Sequence, residues 1–429
     1  MKNIQKVIEK TILADEKNAK KLFRREGHLK HYYKNIALNP LVLSKEQYLD
    51  IKSATESIGA LLEKTIKLYF LEKKVQDFFQ FSTKQKKIIK NYRPDMRSIY
   101  LSRFDGFIDS KNNFRFIEFN VNHPGGTERL DHLTQIIQKF YSPKAKLANK
   151  NNIFDSYLST VKKLYKKAGS KYDMAIGFGS TFDMHDMKAL KKIALNIKTS
   201  LNINVNISDF SKFVYKNNNL YYKNKKISLL YRAEYLQRFW QYDYSIVKIA
   251  LKALEDKKIV MYNLPQAYIG GTKNLFALWY EKWFWKYLDK DEIEAIKLYI
   301  PKTYGLDSSN IIEKEITGNK NKWVIKPIAG FGGSRVYIGK ELNDNRWQKI
   351  VGTHIGSKHF ILQEFVKSDT YGVYSLDTQK ELMNKMDCYL NVSPWYIDGK
   401  MQGISVRYAP KLIINVKKGG GIMSVLIKK

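Results

Sequence analysis

Four polar residues in two short segments have the types and the spacing to build a cation site. Arg103 and Asp105 lie two apart in one segment, Glu118 and Asn120 lie two apart in the next, and Asp109-Ser110-Lys111-Asn112-Asn113 separates them. The separator is turn chemistry and the flanks alternate, which predicts a β-hairpin. Pairing the strands about a centre between Lys111 and Asn112 sets Asp105 opposite Glu118 and Arg103 opposite Asn120. Side chains alternate along a strand, so all four share one face, with Phe104, Ile117 and Phe119 on the other. Opposed carboxylates repel unless a positive charge lies between them. Magnesium (Mg2+) takes hard oxygen ligands, commonly one or two carboxylates plus substrate phosphates, and Asp105, Glu118 and the Asn120 amide oxygen match that inventory. Arg103 is then placed to stabilise charge on a transferring phosphoryl group. A surface hairpin with one Arg103 ion pair is the alternative. It accounts for the arginine and one acid, but not for Asn120 or the polar, glycine-bearing stretch Asn122-His123-Pro124-Gly125-Gly126-Thr127-Glu128, a candidate substrate-lining loop.

A second candidate lies far downstream. Lys326 sits near the end of the apolar run Trp323-Val324-Ile325-Lys326-Pro327. Gly330, Gly332, Gly333 and Ser334 follow, and then the strand pattern Val336-Tyr337-Ile338. A glycine loop joining two strands is neither a Walker loop nor a dinucleotide fingerprint, since both of those open a helix. It can fold over phosphates and offer backbone N–H groups, with Lys326 as a point charge. Gln363 and Glu364 stand in the strand pattern Ile361–Val366, suited to a hinge beside adenine and ribose. Lys273 follows Gly270-Gly271-Thr272 ahead of an aromatic segment, Leu275–Tyr287, expected to be helical; this lysine is a candidate second phosphate ligand.

The elements that must position these residues form a mixed pattern. Ile51, Ala54, Ile58, Leu61, Leu62, Ile66 and Phe70 recur at three- and four-residue steps, and residues 1 to about 95 are expected to be helical. Helices are expected at 130–141 and 153–168, with a lysine-rich linker at 144–152 between them. From Tyr172 short apolar runs alternate with helical patterns, predicting an α/β lobe with a parallel sheet. The turn Gly177-Phe178-Gly179-Ser180 there is weak evidence for a nucleotide. The predicted division is an N-terminal helical region at 1–97, the hairpin and its following helix at 98–150, a middle α/β lobe at 151–257, and a nucleotide-binding region at 258–429.

With 429 residues, 44% hydrophobic and 14% aromatic, the chain can bury more than one core. No apolar run approaches the roughly 20 residues of a bilayer span. A single cysteine, Cys388, excludes an internal disulfide, and no signal peptide is evident, so a cytoplasmic protein is expected. Lys and Arg total 75 against 41 Asp and Glu, a net charge of +34. The lysines are dispersed, and the densest tract, Lys212 to Lys226, reads as an exposed hairpin with an asparagine turn. The charge alone therefore specifies little beyond attraction for anionic small molecules.

The motifs Arg103-Phe-Asp105, Glu118-Phe-Asn120, Thr272-Lys273-Asn274-Leu275, Ile300-Pro301-Lys302-Thr303-Tyr304, Val324-Ile-Lys326-Pro327 and Gly330-Phe-Gly332-Gly333 resemble those of the circularly permuted ATP-grasp proteins. That group includes the synthetase domain of glutathionylspermidine synthetase. The resemblance covers roughly residues 98–425. It implies an α/β fold of ATP-grasp type, with the acidic hairpin ahead of the lysine loop. It implies ATP and magnesium as cofactors: Asp105, Glu118 and Asn120 on the metal, Arg103 on the acyl-phosphate, Lys273 and Lys326 on the nucleotide phosphates, and Gln363 and Glu364 at the adenine hinge. Tyr231-Arg232-Ala233-Glu234 resembles the strand-end arginine of the family's middle lobe. The segments Gly403–Arg407 and Asn415–Gly421 resemble its closing segment. The implied activity is a carboxylate-amine ligase that forms an amide or peptide bond and releases ADP and phosphate. Two departures stand: the glycine loop ends in Ser334-Arg335, and no amidase domain precedes the match. The substrates are not carried over; an anionic small molecule or peptide is the expectation. The rival readings are a basic nucleic-acid-binding protein, for which no recognisable motif is present, and a catalytically silent scaffold of the same fold.

Overall fold

The computed structural model describes residues 8–13, 34–90, 93–122, 124, 126–141, 146–179, 184–234, 244–307, 313–330, 332–416 and 419–429. His123 and Gly125 of the polar stretch, Lys144 of the linker, Ser180, Phe331 of the glycine loop, and most of residues 1–33 lie outside them.

The hairpin forms in the expected register where its strands carry the four polar residues. Strands Leu101–Ile108 and Phe114–Asn120 pair antiparallel, with Arg103 opposite Asn120 and Asp105 opposite Glu118. Beyond Asp105 the register slips by one, so that Gly106 faces Phe116 and Ile117 is left over in a β-bulge. The core face therefore carries Phe104, Phe116 and Phe119, and Ile117 lines the cavity instead. This corrects the expected placement of Ile117. A tight approach at Gly106 accompanies the slip: a Cβ there would lie 2.5 Å from the Arg115 carbonyl oxygen.

Next to the hairpin runs the 16-residue strand Leu382–Ile397, which pairs with Leu101–Ile108, Lys400–Ala409 and Tyr371–Asp377. The seven-stranded sheet is completed by Gly421–Met423 and Asn35–Ala37. The last of these corrects the all-helical reading of the first 95 residues: Asn35–Ala37 and Leu41–Leu43 are strands. Their partners, Tyr371–Asp377 and Val425–Lys428, lie more than 300 residues away, and three residues are too few to show a two-residue period.

The apolar stripe on Lys45–Leu71 does form a helix. It starts in a capping box between Ser44 and Gln47 and buries Ile51, Ala54, Ile58, Leu61, Leu62 and Ile66. The middle lobe is a six-stranded sheet. Its parallel part comprises Val205–Asp209, Asp173–Phe178, Lys225–Arg232 and Val260–Tyr262. Two antiparallel strands, Val214–Lys216 and Asn219–Tyr222, extend it through turns with Asn217, Asn218, Lys223 and Asn224 at positive φ. The lysine-rich tract is thus the predicted hairpin. The aromatic segment is not one helix. It breaks into Asn274–Leu278 and a 3₁₀ turn at Lys282–Tyr287, where the Trp285 indole N–H takes the Trp279 carbonyl at 2.9 Å that a continuing α-helix would use.

The third sheet, in the order Thr303–Gly305, Phe360–Glu364, Trp323–Pro327 and Tyr337–Ile338, is antiparallel. It packs on its own core of Leu306, Ile316, Trp323, Ile325, Trp347, Val351, Phe360 and Leu362. The whole is a mixed α/β architecture. No helix among the described residues is long and apolar enough to cross a membrane.

Candidate functional site

One buried side chain joins the hairpin to the middle lobe. Asn263 accepts from the Tyr100 and Leu101 N–H groups at 2.7 and 2.9 Å, and donates to the Leu101 and Val121 carbonyls at 2.6 Å each. All four hydrogen-bonding valences of the amide are used. The ends of both hairpin strands are fixed in this way, and with them the four polar residues between.

The hairpin face opens onto a cavity of about 650 Å³. Arg103, Asp105, Glu118, Asn120, Lys273, Lys326, Gly330, Gly332, Gly333, Ser334, Gln363 and Glu364 all line it. Segments more than 200 residues apart therefore meet, and these twelve residues share the walls of one cavity.

Asp105 is 5% exposed and densely bonded. Arg103 Nε donates to it at 2.8 Å, Asn120 Nδ2 at 2.8 Å and Arg407 Nη2 at 2.5 Å. Burial pushes this carboxyl up, but the Arg103 and Arg407 guanidiniums and their hydrogen bonds outweigh it and hold Asp105 well below the usual carboxylate range. Glu118 is more open, with 31% of its side chain exposed and Lys273 Nζ at 3.7 Å.

Lys273 is buried just before Asn274–Leu278, and its backbone N–H donates to Ile328 O at 2.9 Å, which ties the two lysine segments together. Lys326 is buried too. Burial first, then the neighbouring Lys273 charge, push its ammonium down to about 7, while Glu118 pulls it back. Lys326 Nζ donates to Gln363 Oε1 at 2.7 Å. Gly332 and Gly333 adopt φ of 64° and 74°, and Asn415 Nδ2 donates to Gly332 O at 3.1 Å, so the chain's closing segment holds the loop.

The set Asp105, Glu118 and Asn120 offers oxygen donors only, on adjacent pairs of one hairpin, which suits a small hard cation. Among the described residues no group of three or more His, Cys, Asp and Glu is placed to hold a metal ion. Two cationic ends, Arg407 and Arg103, already compensate Asp105, and Glu118 is the more open of the two acids.

Two wall residues carried no individual role in the sequence reading. Arg407 appeared there only as part of a closing segment, and Asn391 not at all. They pair across neighbouring strands, and Arg407 Nη2 also reaches Asn391 Oδ1 at 2.5 Å. The signal that could have found Arg407 is a charged residue set among Ile404, Val406, Tyr408 and Ala409 on the strand Lys400–Ala409. Arg232 goes the other way. It is fully buried and donates to the Glu234 and Asn263 carbonyls at 2.5 and 3.4 Å, so it supports the fold and does not line the cavity.

Among solved structures the chain is similar to a glutathione synthetase-like effector from Globodera pallida, with a TM-score of 0.67 and 12% identity over 98% of this chain and 97% of that one. At that identity the match shows a shared fold. A candidate gamma-glutamylcysteine synthetase from Methylobacillus flagellatus KT superposes more loosely, with a TM-score of 0.45 and 11% identity over 85% of this chain and 87% of that one, and carries no argument. No protein-family model and no curated protein matches the sequence.

Proposed function

We propose that the protein is an ATP-dependent carboxylate-amine ligase of the circularly permuted ATP-grasp type. The observation that carries this reading is the meeting of the Asp105–Glu118–Asn120 face with Lys273, Lys326 and the Gly330–Ser334 loop in one cavity. A fold shared with a synthetase-like protein over nearly the full length adds support.

In this reading the nucleotide lies between the third sheet and the hairpin. Lys326 and Lys273 hold its phosphates, backbone N–H groups of the glycine loop cover them, and Glu364 borders the adenine end. Asp105, Glu118 and Asn120 would hold magnesium, which supplies charge neutralisation on the phosphate oxygens. A substrate carboxylate attacks the γ-phosphorus, ADP leaves, and an acyl-phosphate forms. Arg103 and Arg407 lie where its new negative charge gathers. An amine then attacks the acyl carbon, phosphate leaves, and the amide remains after loss of one proton. The loop, held at Gly332 by Asn415, excludes water from the acyl-phosphate.

One observation favours a second reading, a silent scaffold: Asp105 is already saturated by Arg103, Arg407 and Asn120. Incubation with ATP, magnesium and a panel of acids paired with amines, followed by mass spectrometry, decides between them. The ligase gives ADP and a product with the mass of acid plus amine less water. Nucleotide binding without any ADP across the panel supports the scaffold.

A further inference from the structure

The strand pattern around Gln363 suggested a residue that reads adenine, but the geometry gives it another task. Thr303 stands directly opposite Gln363 across one strand boundary, and Val324 stands opposite it across the other. Lys326, two residues on from Val324, is therefore on the same face and diagonal to Gln363. Lys326 Nζ donates to Gln363 Oε1 at 2.7 Å, Gln363 Nε2 donates to Thr303 Oγ1 at 3.1 Å, and Thr303 Oγ1 donates to the Pro301 carbonyl at 2.7 Å. Gln363 is 1% exposed and Thr303 is not exposed at all.

This chain of bonds runs in one direction only. The Pro301 carbonyl can only accept, so it commits the Thr303 proton. The Thr303 oxygen must then accept from Gln363, which turns the amide nitrogen toward Thr303 and the amide oxygen toward Lys326. The ammonium group, which can only donate, finds an acceptor held in place for it. One of its three protons is anchored, and the other two are left for the cavity.

We infer that Thr303 and Gln363 are positioning residues that lock the Lys326 ammonium in place for nucleotide phosphate, and that the Gln363 side chain does not recognise adenine. This rests on the nucleotide reading of the cavity. It adds that phosphate affinity depends on a hydroxyl outside the phosphate loop, on the strand at Thr303–Gly305.

The test is titration of magnesium-ATP into the wild type and three variants, with thermal unfolding of each measured alongside. Thr303→Val keeps the shape, removes the hydroxyl and frees the amide to turn; its Kd should rise about tenfold, the usual scale for losing a buried hydrogen bond to a charged group. Thr303→Ser restores the hydroxyl and should bind within about twofold of wild type. Gln363→Asn withdraws the amide by one methylene and should weaken binding as Thr303→Val does; it also covers the case in which the valine variant fails to fold. A purely structural role predicts lower melting temperatures with unchanged Kd. If Thr303→Val or Gln363→Asn binds like the wild type, the relay is overturned and the nucleotide reading survives. If the wild type itself binds no ATP, both fall.

Discussion

Arg407 and Asp105, separated by 302 residues of chain, meet at 2.5 Å on the cavity wall. The contact closes a cluster in which two guanidiniums and one amide surround a single buried carboxylate. Removing one partner of a buried pair typically costs about 3–5 kcal/mol. Arg407 is 25% exposed and Arg103 would remain on Asp105, so Arg407→Met should cost less, about 1–3 kcal/mol in urea unfolding. Asp105→Asn leaves two cations facing a neutral amide and should cost more. The reverse order of stabilities would mean that the arginines hold the cluster without the acid.

Glu118 should behave differently. Its side chain is 31% exposed and its ion pair with Lys273 is loose at 3.7 Å. Lys273 on the other side of the pair is only 7% exposed, so Glu118→Gln leaves a buried ammonium less compensated and should cost about 1–2 kcal/mol, below the roughly 3–5 kcal/mol of a fully buried pair. Turnover should fall by at least about a hundredfold, because a carboxylate that shares a cation with phosphate oxygens acts mainly in the transition state. Full activity in this variant would overturn the proposed cation-binding role of Glu118.

The buried Lys326 ammonium, pushed down to about 7 by burial and then by Lys273, gives two pH signatures. In the unfolded chain a lysine titrates near about 10.4. Between about 7 and about 10.4 the unfolded chain holds a proton that the folded one has released, so this residue makes stability rise with pH across that window. Below about 7 both states are charged and the destabilisation is constant. Lys326→Met should raise the melting temperature at neutral pH and flatten the slope above it. Nucleotide phosphate should recharge the lysine, so ATP binding at pH 8 should take up protons, and binding at pH 6 should take up almost none from this group. Calorimetry in buffers of different ionisation enthalpy measures the difference.

The hairpin was legible because its period of two and its turn residues specify register locally. Asp105 and Glu118 could be paired from spacing alone. The bulge at Ile117 was not legible, because it depends on how closely Gly106 approaches the Arg115 carbonyl. Arg407 could not be tied to Asp105, since that contact exists only once Leu382–Ile397 lies between their strands. Asn35–Ala37 was lost for a similar reason: its strand conformation comes from partners at the far end of the chain. The contacts of Gln363 with Thr303 and Lys326 were not legible either, because both neighbours appear only with the sheet order.

The glycine loop should tolerate no side chain at Gly333. Its φ is 74°, and a Cβ there would meet Ile413 Cγ2 at 2.4 Å. Gly333→Ala should strain the loop and push it away from the closing segment, with ATP affinity falling about tenfold or more while the distant cores keep their stability. Gly356 has φ 78° with nothing within 4 Å of a Cβ and serves as the control. Gly356→Ala carries the same backbone strain and should leave ATP affinity unchanged.

Asn263 offers the sharpest test of how the hairpin is held. Its amide saturates four backbone groups of Tyr100, Leu101 and Val121, and the residue is 1% exposed. Asn263→Ala removes the side-chain partner of these buried donors and acceptors, at the cost of their desolvation. Four unmet groups at about 1–3 kcal/mol each predict a loss of roughly 4 kcal/mol or more. Asn263→Asp keeps the acceptor oxygens facing the Tyr100 and Leu101 N–H groups but sets a charge against the Leu101 and Val121 carbonyls. It should be no more stable than the alanine variant, although it is closer in shape. A stable aspartate variant would show that shape alone anchors the hairpin to the middle lobe.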